Sequence, residues 1–154
     1  SKSKRPDMTP QRVTLITLGV TDLERAKSFY AALGWTPTSE MPGSVVFYQI
    51  NGMVLGFFGL GPLAEDQGRP DAKLGTGAMT LAQNFSTEKE VDAAYKLALE
   101  SGATALKAPE KVFWGGYSGY YADPDGHVWE LAMNPFWTLN EDGSLTLPEA
   151  QNEG

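Results

Sequence analysis

An α+β fold made of two βαβββ modules in tandem is what the sequence predicts, on three observations. The same order of strand-like and helix-like segments runs twice along the chain. A capping-box spacing stands before each helix-like stretch, at Thr21 to Glu24 and at Thr87 to Glu90. Each half also closes on a hairpin whose turn holds a glycine, Gly52 in the first and Gly126 in the second.

Residues 13 to 20, VTLITLGV, are rich in β-branched side chains and read as the first strand. Behind Thr21-Asp22-Leu23-Glu24, the apolar residues Leu23, Ala26, Phe29, Tyr30 and Leu33 recur at helical spacing, and Gly34 is placed to end that helix. A short strand is expected near Trp35 to Ser39. SVVFYQI and MVLGFFG then flank Asn51-Gly52, the pair best suited to a two-residue hairpin turn, which sets Gln49 opposite Val54 and Phe47 opposite Gly56. Gly59 to Gly75, rich in Gly and Pro with mixed charge, reads as a linker, since Gly59-Leu60-Gly61 precedes a proline rather than a helix.

The second module opens on AMTLAQNF at 78 to 85 and continues through Thr87-Glu88-Lys89-Glu90 into the stripe Val91, Ala94, Tyr95, Ala98, with Ser101-Gly102 as its stop. Gly119 to Ala122 leads through the turn Asp123-Pro124-Asp125-Gly126 into His127 to Ala132. Matching Gly52 to Gly126 aligns MVLGFF with HVWELA and sets Tyr121 beside Glu130. The implied organisation is a flexible N-terminal tail at 1–12, a first module at 13–59, a linker at 60–76, a second module at 77–137 and a C-terminal extension at 138–154.

Composition narrows the chemistry. At 154 residues, 42% hydrophobic and 20% charged, the chain has the make-up of one compact globular domain, or two very small ones sharing a core. Its net charge of -7 argues against nucleic acid as a partner, and the basic run Lys2, Lys4, Arg5 reads as a solvated extension. No apolar run is long enough to span a bilayer and no signal-peptide pattern opens the chain, so a cytoplasmic protein without membrane partners is expected. Cysteine is absent and His127 is the one histidine, which excludes disulfides, thiol nucleophiles and any metal site that needs two imidazoles from one chain. Phosphate-binding loops, dinucleotide-binding glycine patterns and nucleophile elbows are missing as well.

The two modules, the stretch VTDLERAKSFYAALGW and above all Gly119-Tyr120-Tyr121-Ala122-Asp123-Pro124-Asp125-Gly126-His127-Val128-Trp129-Glu130-Leu131 resemble the vicinal oxygen chelate superfamily of glyoxalases, bleomycin-resistance proteins and extradiol dioxygenases. The resemblance covers about residues 13 to 136. It implies half-barrel sheets with helices on the outer face, a ligand cavity on the concave face, and four metal-ligand positions in the members that use metal. Carried over residue by residue, those positions hold Leu15, Gly56, Thr80 and Glu130, of which Glu130 alone is a good ligand. A shifted strand would put Gln83 in the place of Thr80, and a one-residue slip exchanges the two faces of a strand.

His127 and Glu130 should diverge, since alternate residues of a strand share a face, and a turn or surface role is expected for the histidine. A Glu between Trp129 and Leu131 is costly to ionise without a partner, which makes Glu130 the candidate general base or ligand anchor. Phe47, over the side-chain-free Gly56, with Gln49, Thr80, Asn84, Trp114 and Tyr121, is expected to line the ligand cavity. Trp35 and Trp137 are further wall candidates, and Trp114-Gly115-Gly116-Tyr117 is the candidate lid. The leading expectation is a homodimer that binds a small apolar or aromatic organic molecule with no cofactor, as bleomycin-resistance proteins do. The alternative is a glyoxalase-like lyase, isomerase or dioxygenase that uses Glu130 as base, or as ligand to a divalent metal.

Overall fold

The computed structural model describes residues 8–149, so the basic run Lys2, Lys4, Arg5 lies outside the described residues. In chain order the elements are β1 Leu15–Val20, α1 Leu23–Ala32, β2 Ser39–Met41, β3 Val45–Ile50, β4 Met53–Gly59 and α2 Leu60–Asp66, then β5 Thr80–Asn84, α3 Glu88–Glu100, β6 Thr104–Lys111, β7 Tyr117–Ala122 and β8 Val128–Met133. They form two open four-stranded sheets, ordered β1-β4-β3-β2 and β5-β8-β7-β6. In each, the first and last strands of the module pair in parallel and the other neighbours are antiparallel. The architecture is the α+β tandem that the repeat predicts. No helix among the described residues is long and apolar enough to cross a membrane.

Local chemistry accounts for most element ends. Thr87 caps α3, its Oγ1 accepting the Glu90 amide at 3.1 Å while its hydroxyl donates to Glu90 Oε1 at 2.9 Å. The first module departs from that pattern: the N-cap of α1 is Asp22, whose carboxylate accepts from the Arg25 amide, and Thr21 turns instead to Asp125. Gly52, with φ of 74°, turns the β3–β4 hairpin in the predicted register, Phe47 opposite Gly56 and Gln49 opposite Val54. β2 begins later than the sequence suggests, because Trp35 is drawn into the core, 5.3 Å from the Tyr30 ring and 5.8 Å from Trp129.

The segment read as a linker carries a helix. Pro62 lies in the first turn of α2, where a proline has no intrahelical amide bond to lose, so the Gly-Pro content does not prevent helix formation. α2 packs on β1 and β4. It does so on the face away from Leu18 and Val20, because a Cβ built on Gly19 would stand 2.6 Å from the Leu60 side chain. The helices are therefore not all on one side: α2 covers the end of the face that the resemblance leaves open.

One apolar cluster spans both modules, joining Leu18, Phe29, Tyr30, Tyr48 and Phe57 of the first to Val91, Tyr95, Tyr121, Trp129 and Leu131 of the second. At its centre lies a buried carboxylate. Asp123 Oδ2 accepts the Tyr30 hydroxyl at 2.7 Å, Tyr30 in turn accepts the Trp129 indole N–H at 2.9 Å, and Asp123 Oδ1 accepts the amides of Asp125 and His127. Beside this network Asp125 receives the Thr21 amide and hydroxyl and the Arg25 guanidinium. The sequence-based expectation of a turn or surface role for His127 is corrected here: the residue is 9% exposed, and its Nε2 donates to the Gly19 carbonyl at 2.7 Å, tying β8 to the end of β1. At the opposite end the C-terminal segment returns to the first module, where the Asn51 side chain donates to the Asp142 carbonyl.

Two outcomes follow from this junction. Tyr30→Phe removes both hydrogen bonds of one buried hydroxyl, and urea unfolding should show a loss of about 2 to 4 kcal/mol, because Asp123 and the Trp129 N–H each lose a partner. An unchanged midpoint would disprove the network's role. Burial, with Asp123 as the next cause, raises the Tyr30 hydroxyl, and burial also raises Tyr121. Below the unfolded tyrosine value near 10 both states keep the proton and nothing is lost; above it the unfolded chain releases protons the native state retains, so stability falls as pH rises. Phenolate absorbance in a base titration should therefore lag behind model tyrosine and then appear together with loss of tryptophan fluorescence.

Candidate functional site

Alternation along each strand sorts the side chains. Leu18, Val20, Leu55 and Phe57 face the helices in the first sheet, and Trp129 and Leu131 do so in the second. The opposite, open faces carry two comparable rows. One runs Thr17, Gly56, Phe47, Ser39 across neighbouring strands; the other runs Ala82, Glu130, Tyr120, Lys107. Phe47 lies over Gly56 as expected, with ring carbons 3.0 Å from where a Cβ would be. Glu130 is half-buried at the equivalent place in the second row.

Tyr121 is not beside Glu130. It pairs with Trp129 on the helix side, is 2% exposed and stacks on the indole at 6.5 Å with the planes 10° apart. The residue opposite Glu130 is Tyr120. The displacement comes from loop length: the first hairpin turns on two residues, whereas the second turns on Pro124-Asp125-Gly126 between the paired Asp123 and His127. One extra residue shifts the partner by one, and a one-residue shift changes the face. Pro-Asp-Gly with the glycine at φ 93° has the form of a three-residue hairpin loop, the signal in the sequence that points to Tyr120. Burial pushes the Tyr120 hydroxyl up and the Glu130 carboxylate adds to the shift, so the phenol stays protonated at neutral pH beside the carboxylate.

The remaining predicted site residues scatter. Thr80 and Asn84 share the face of Glu130, opposite Val128 and Ala132; Gln83 pairs with Leu131 and lines a small helix-side cavity of about 170 Å³ with Trp35 and Tyr121. That decides the register in favour of Thr80. The Gln49 side chain is engaged by its own hairpin, donating to the carbonyls of Ile50 and Met53. Trp114 sits at the tip of the β6–β7 hairpin, its ring folded over Gly116, and Val112 bonds to Gly115 and Gly116 across the turn. Tyr117 donates to Asp92 of α3, which pushes its own hydroxyl up to about 12, so the base of this hairpin is anchored to the helix. Trp137 is 39% exposed beyond β8.

A cleft of about 450 Å³ is lined by residues of β1, α2, the stretch 73–79, β5 and the start of β8, and none of the cavity residues read from the sequence lines it. Its walls are Thr17 to Gly19 of β1, Leu60 and Leu63 of α2, the stretch 73–79, and His127 and Val128. The presumed linker is thus one side of the cleft, built by chain that has no repeat partner and no periodicity to betray it.

The four positions where metal-using relatives hold their ion do not fit a metal. Leu15 and Gly56 offer no donor, Thr80 offers one hydroxyl, and Glu130 one carboxylate, where a hard divalent cation takes about six oxygen ligands. Among the described residues no group of three or more His, Asp or Glu comes together as a metal site.

Residues 12–131 match the family model for the Glyoxalase/Bleomycin resistance protein/Dioxygenase superfamily. Among solved structures, a glyoxalase-related enzyme from Fulvimarina pelagi is 40% identical, with a TM-score of 0.85 over 91% of this chain and 100% of that one. A glyoxalase/bleomycin resistance protein/dioxygenase from Nocardioides is 25% identical, with a TM-score of 0.69 over 83% of this chain and 86% of that one. Among curated proteins, an uncharacterized protein of Mycobacterium bovis is 38% identical over 68 residues, a match that spans 44% of this chain and 44% of that protein's length. The paired βαβββ sheets, the matched residues and the likeness to the Fulvimarina protein lead to one conclusion: the chain belongs to the glyoxalase/bleomycin resistance/dioxygenase group of the vicinal oxygen chelate superfamily.

Proposed function

We propose that this protein binds a small, partly apolar organic molecule on the open side of its sheets, without the metal centre that part of the family uses. The observation that carries the reading is the donor set itself: Leu15, Gly56 and Thr80 leave Glu130 as one carboxylate, and Phe47 occupies the space over Gly56. Glu130 and Tyr120 supply an acceptor and a donor side by side, suited to orienting a ligand that carries both kinds of polar group. A homodimer is part of the proposal. Phe113 is fully exposed, and Phe136, 68% exposed, packs near Gly115 at the same hairpin tip, an apolar surface that association would cover.

A second reading is favoured by one arrangement and one relative. The Glu130 carboxylate with a protonated phenol across the hairpin is a base paired with an acid, and the Fulvimarina protein is described as an enzyme. In that reading Glu130 takes a proton from the substrate and Tyr120 hydrogen-bonds the developing charge.

Metal analysis of protein purified without chelator, with and without Glu130→Gln, decides between these readings and a metal enzyme. The proposal expects no stoichiometric divalent metal in either form. It expects ligand affinity to fall by about 1 to 3 kcal/mol in the variant, the cost of losing one anchoring acceptor. Stoichiometric metal that disappears in the variant overturns the proposal. A rate loss of about 100-fold or more with substrate affinity unchanged would install the base instead. Sedimentation at micromolar concentration should give a dimer, and a monomer at every concentration removes that part of the reading.

A further inference from the structure

We infer that the cavity on the helix side of the second sheet, between the end of α1 and α3, is a binding site for a small neutral aromatic molecule, a single ring with one hydrogen-bonding group such as a phenol. It lies on the opposite side of the sheet from Glu130, because Gln83 pairs with Leu131 and Tyr121 with Trp129, and these four side chains alternate with that of Glu130. Its volume of about 170 Å³ is close to that of an apolar protein cavity that holds benzene, about 150 Å³. One ring with a small substituent fills such a space.

The lining names the ligand. Trp35 and Phe85 offer aromatic surface, and no charged side chain lines the space, so an ionised ligand would lose its water without gaining a counter-charge. Two polar side chains line it, Gln83 and Tyr121, and neither bonds to another described residue. Tyr121 is 2% exposed, and groups buried to that degree are normally paired. Burial pushes its hydroxyl up, which keeps it a donor at neutral pH, while the Gln83 amide both donates and accepts. A ligand hydroxyl supplies the partner that the chain does not. Leu97, 41% exposed, stands at the rim and leaves a way in from solvent. Leu33 and Trp35 come from the first module and the other lining residues from the second, so an occupant touches both and stabilises their docking. Neither Glu130, Tyr120 nor Phe47 lines this cavity, so the inference stands independently of the function proposed for the open face.

Titration calorimetry with phenol, toluene and benzoate tests the site, with thermal unfolding of the same samples as a second readout. The intact protein should bind phenol more tightly than toluene and benzoate least, and phenol should raise the unfolding midpoint. Ala94 lines the cavity from α3, so Ala94→Leu puts a branched side chain into the space; it should weaken phenol and toluene alike, about tenfold or more, without lowering the midpoint of the free protein. Gln83→Leu keeps the bulk and removes the amide. It should weaken phenol about fivefold and leave toluene unchanged, and it decides the question by itself if Ala94→Leu fails to fold. No binding of phenol at millimolar concentration, benzoate bound as tightly as phenol, or phenol affinity unchanged in either variant overturns the assignment. Unchanged affinity in a folded Ala94→Leu also moves the probe elsewhere on the protein, without touching the metal-free reading.

Discussion

The Asp123 carboxylate is the constraint on which the arrangement depends. It is 3% exposed, and a buried carboxyl group is costly unless hydrogen-bonded; three donors reach its two oxygens. The partners come from both modules: the hydroxyl of Tyr30 on α1, and two amides of its own loop. Satisfying one carboxylate therefore docks the first helix against the last hairpin, and that docking places the Gly19 carbonyl within reach of His127 and Thr21 within reach of Asp125. The apolar cluster supplies non-directional attraction across the same boundary; the hydrogen bonds select one relative placement from the many that burial alone would accept.

That placement has consequences for the open side of the sheets. The loop that carries Asp123 also sets the register of β7 on β8, and thus puts Tyr120 rather than Tyr121 across from Glu130. The same loop leads into His127, which is bonded to Gly19, and both residues line the cleft formed with α2 and residues 73–79. Gly19 works on both of its sides. Its carbonyl receives the imidazole, and its missing side chain lets Leu60 and Leu63 press α2 onto the sheet. The two modules thus differ where the repeat would make them alike: the first has a helix on its open face and a phenylalanine over a glycine, while the second has a tyrosine beside a carboxylate.

Much of this was legible in the residues alone, wherever the signal is local. Periodicity placed α1 and α3, because residues three and four apart share a helix face, and Asn51-Gly52 specified a hairpin register down to the Phe47–Gly56 pair. Alternation was enough to separate Glu130 from His127 and Trp129. Residue identity alone told which of the positions carried over from the family resemblance lack donors. β6 was covered by the repeat rather than by its own sequence: TALKAPEK holds charges and a proline, tolerated on an edge strand whose bulges run past Gly119.

What only the tertiary structure decided are the contacts between segments distant in sequence. Thr21 left its expected cap for Asp125, 104 residues away, because that carboxylate is held where it can accept both the amide and the hydroxyl. His127 became a buried link because a carbonyl of β1 arrived beside it. Residues of the 60–79 segment line a cleft together with residues of β1 and β8, a property of how distant segments pack and not of any pattern within the segment. Sequence periodicity reports which way a side chain points relative to its own element. What it points at is set by how two modules pack, and here one shared carboxylate and one extra loop residue set that packing.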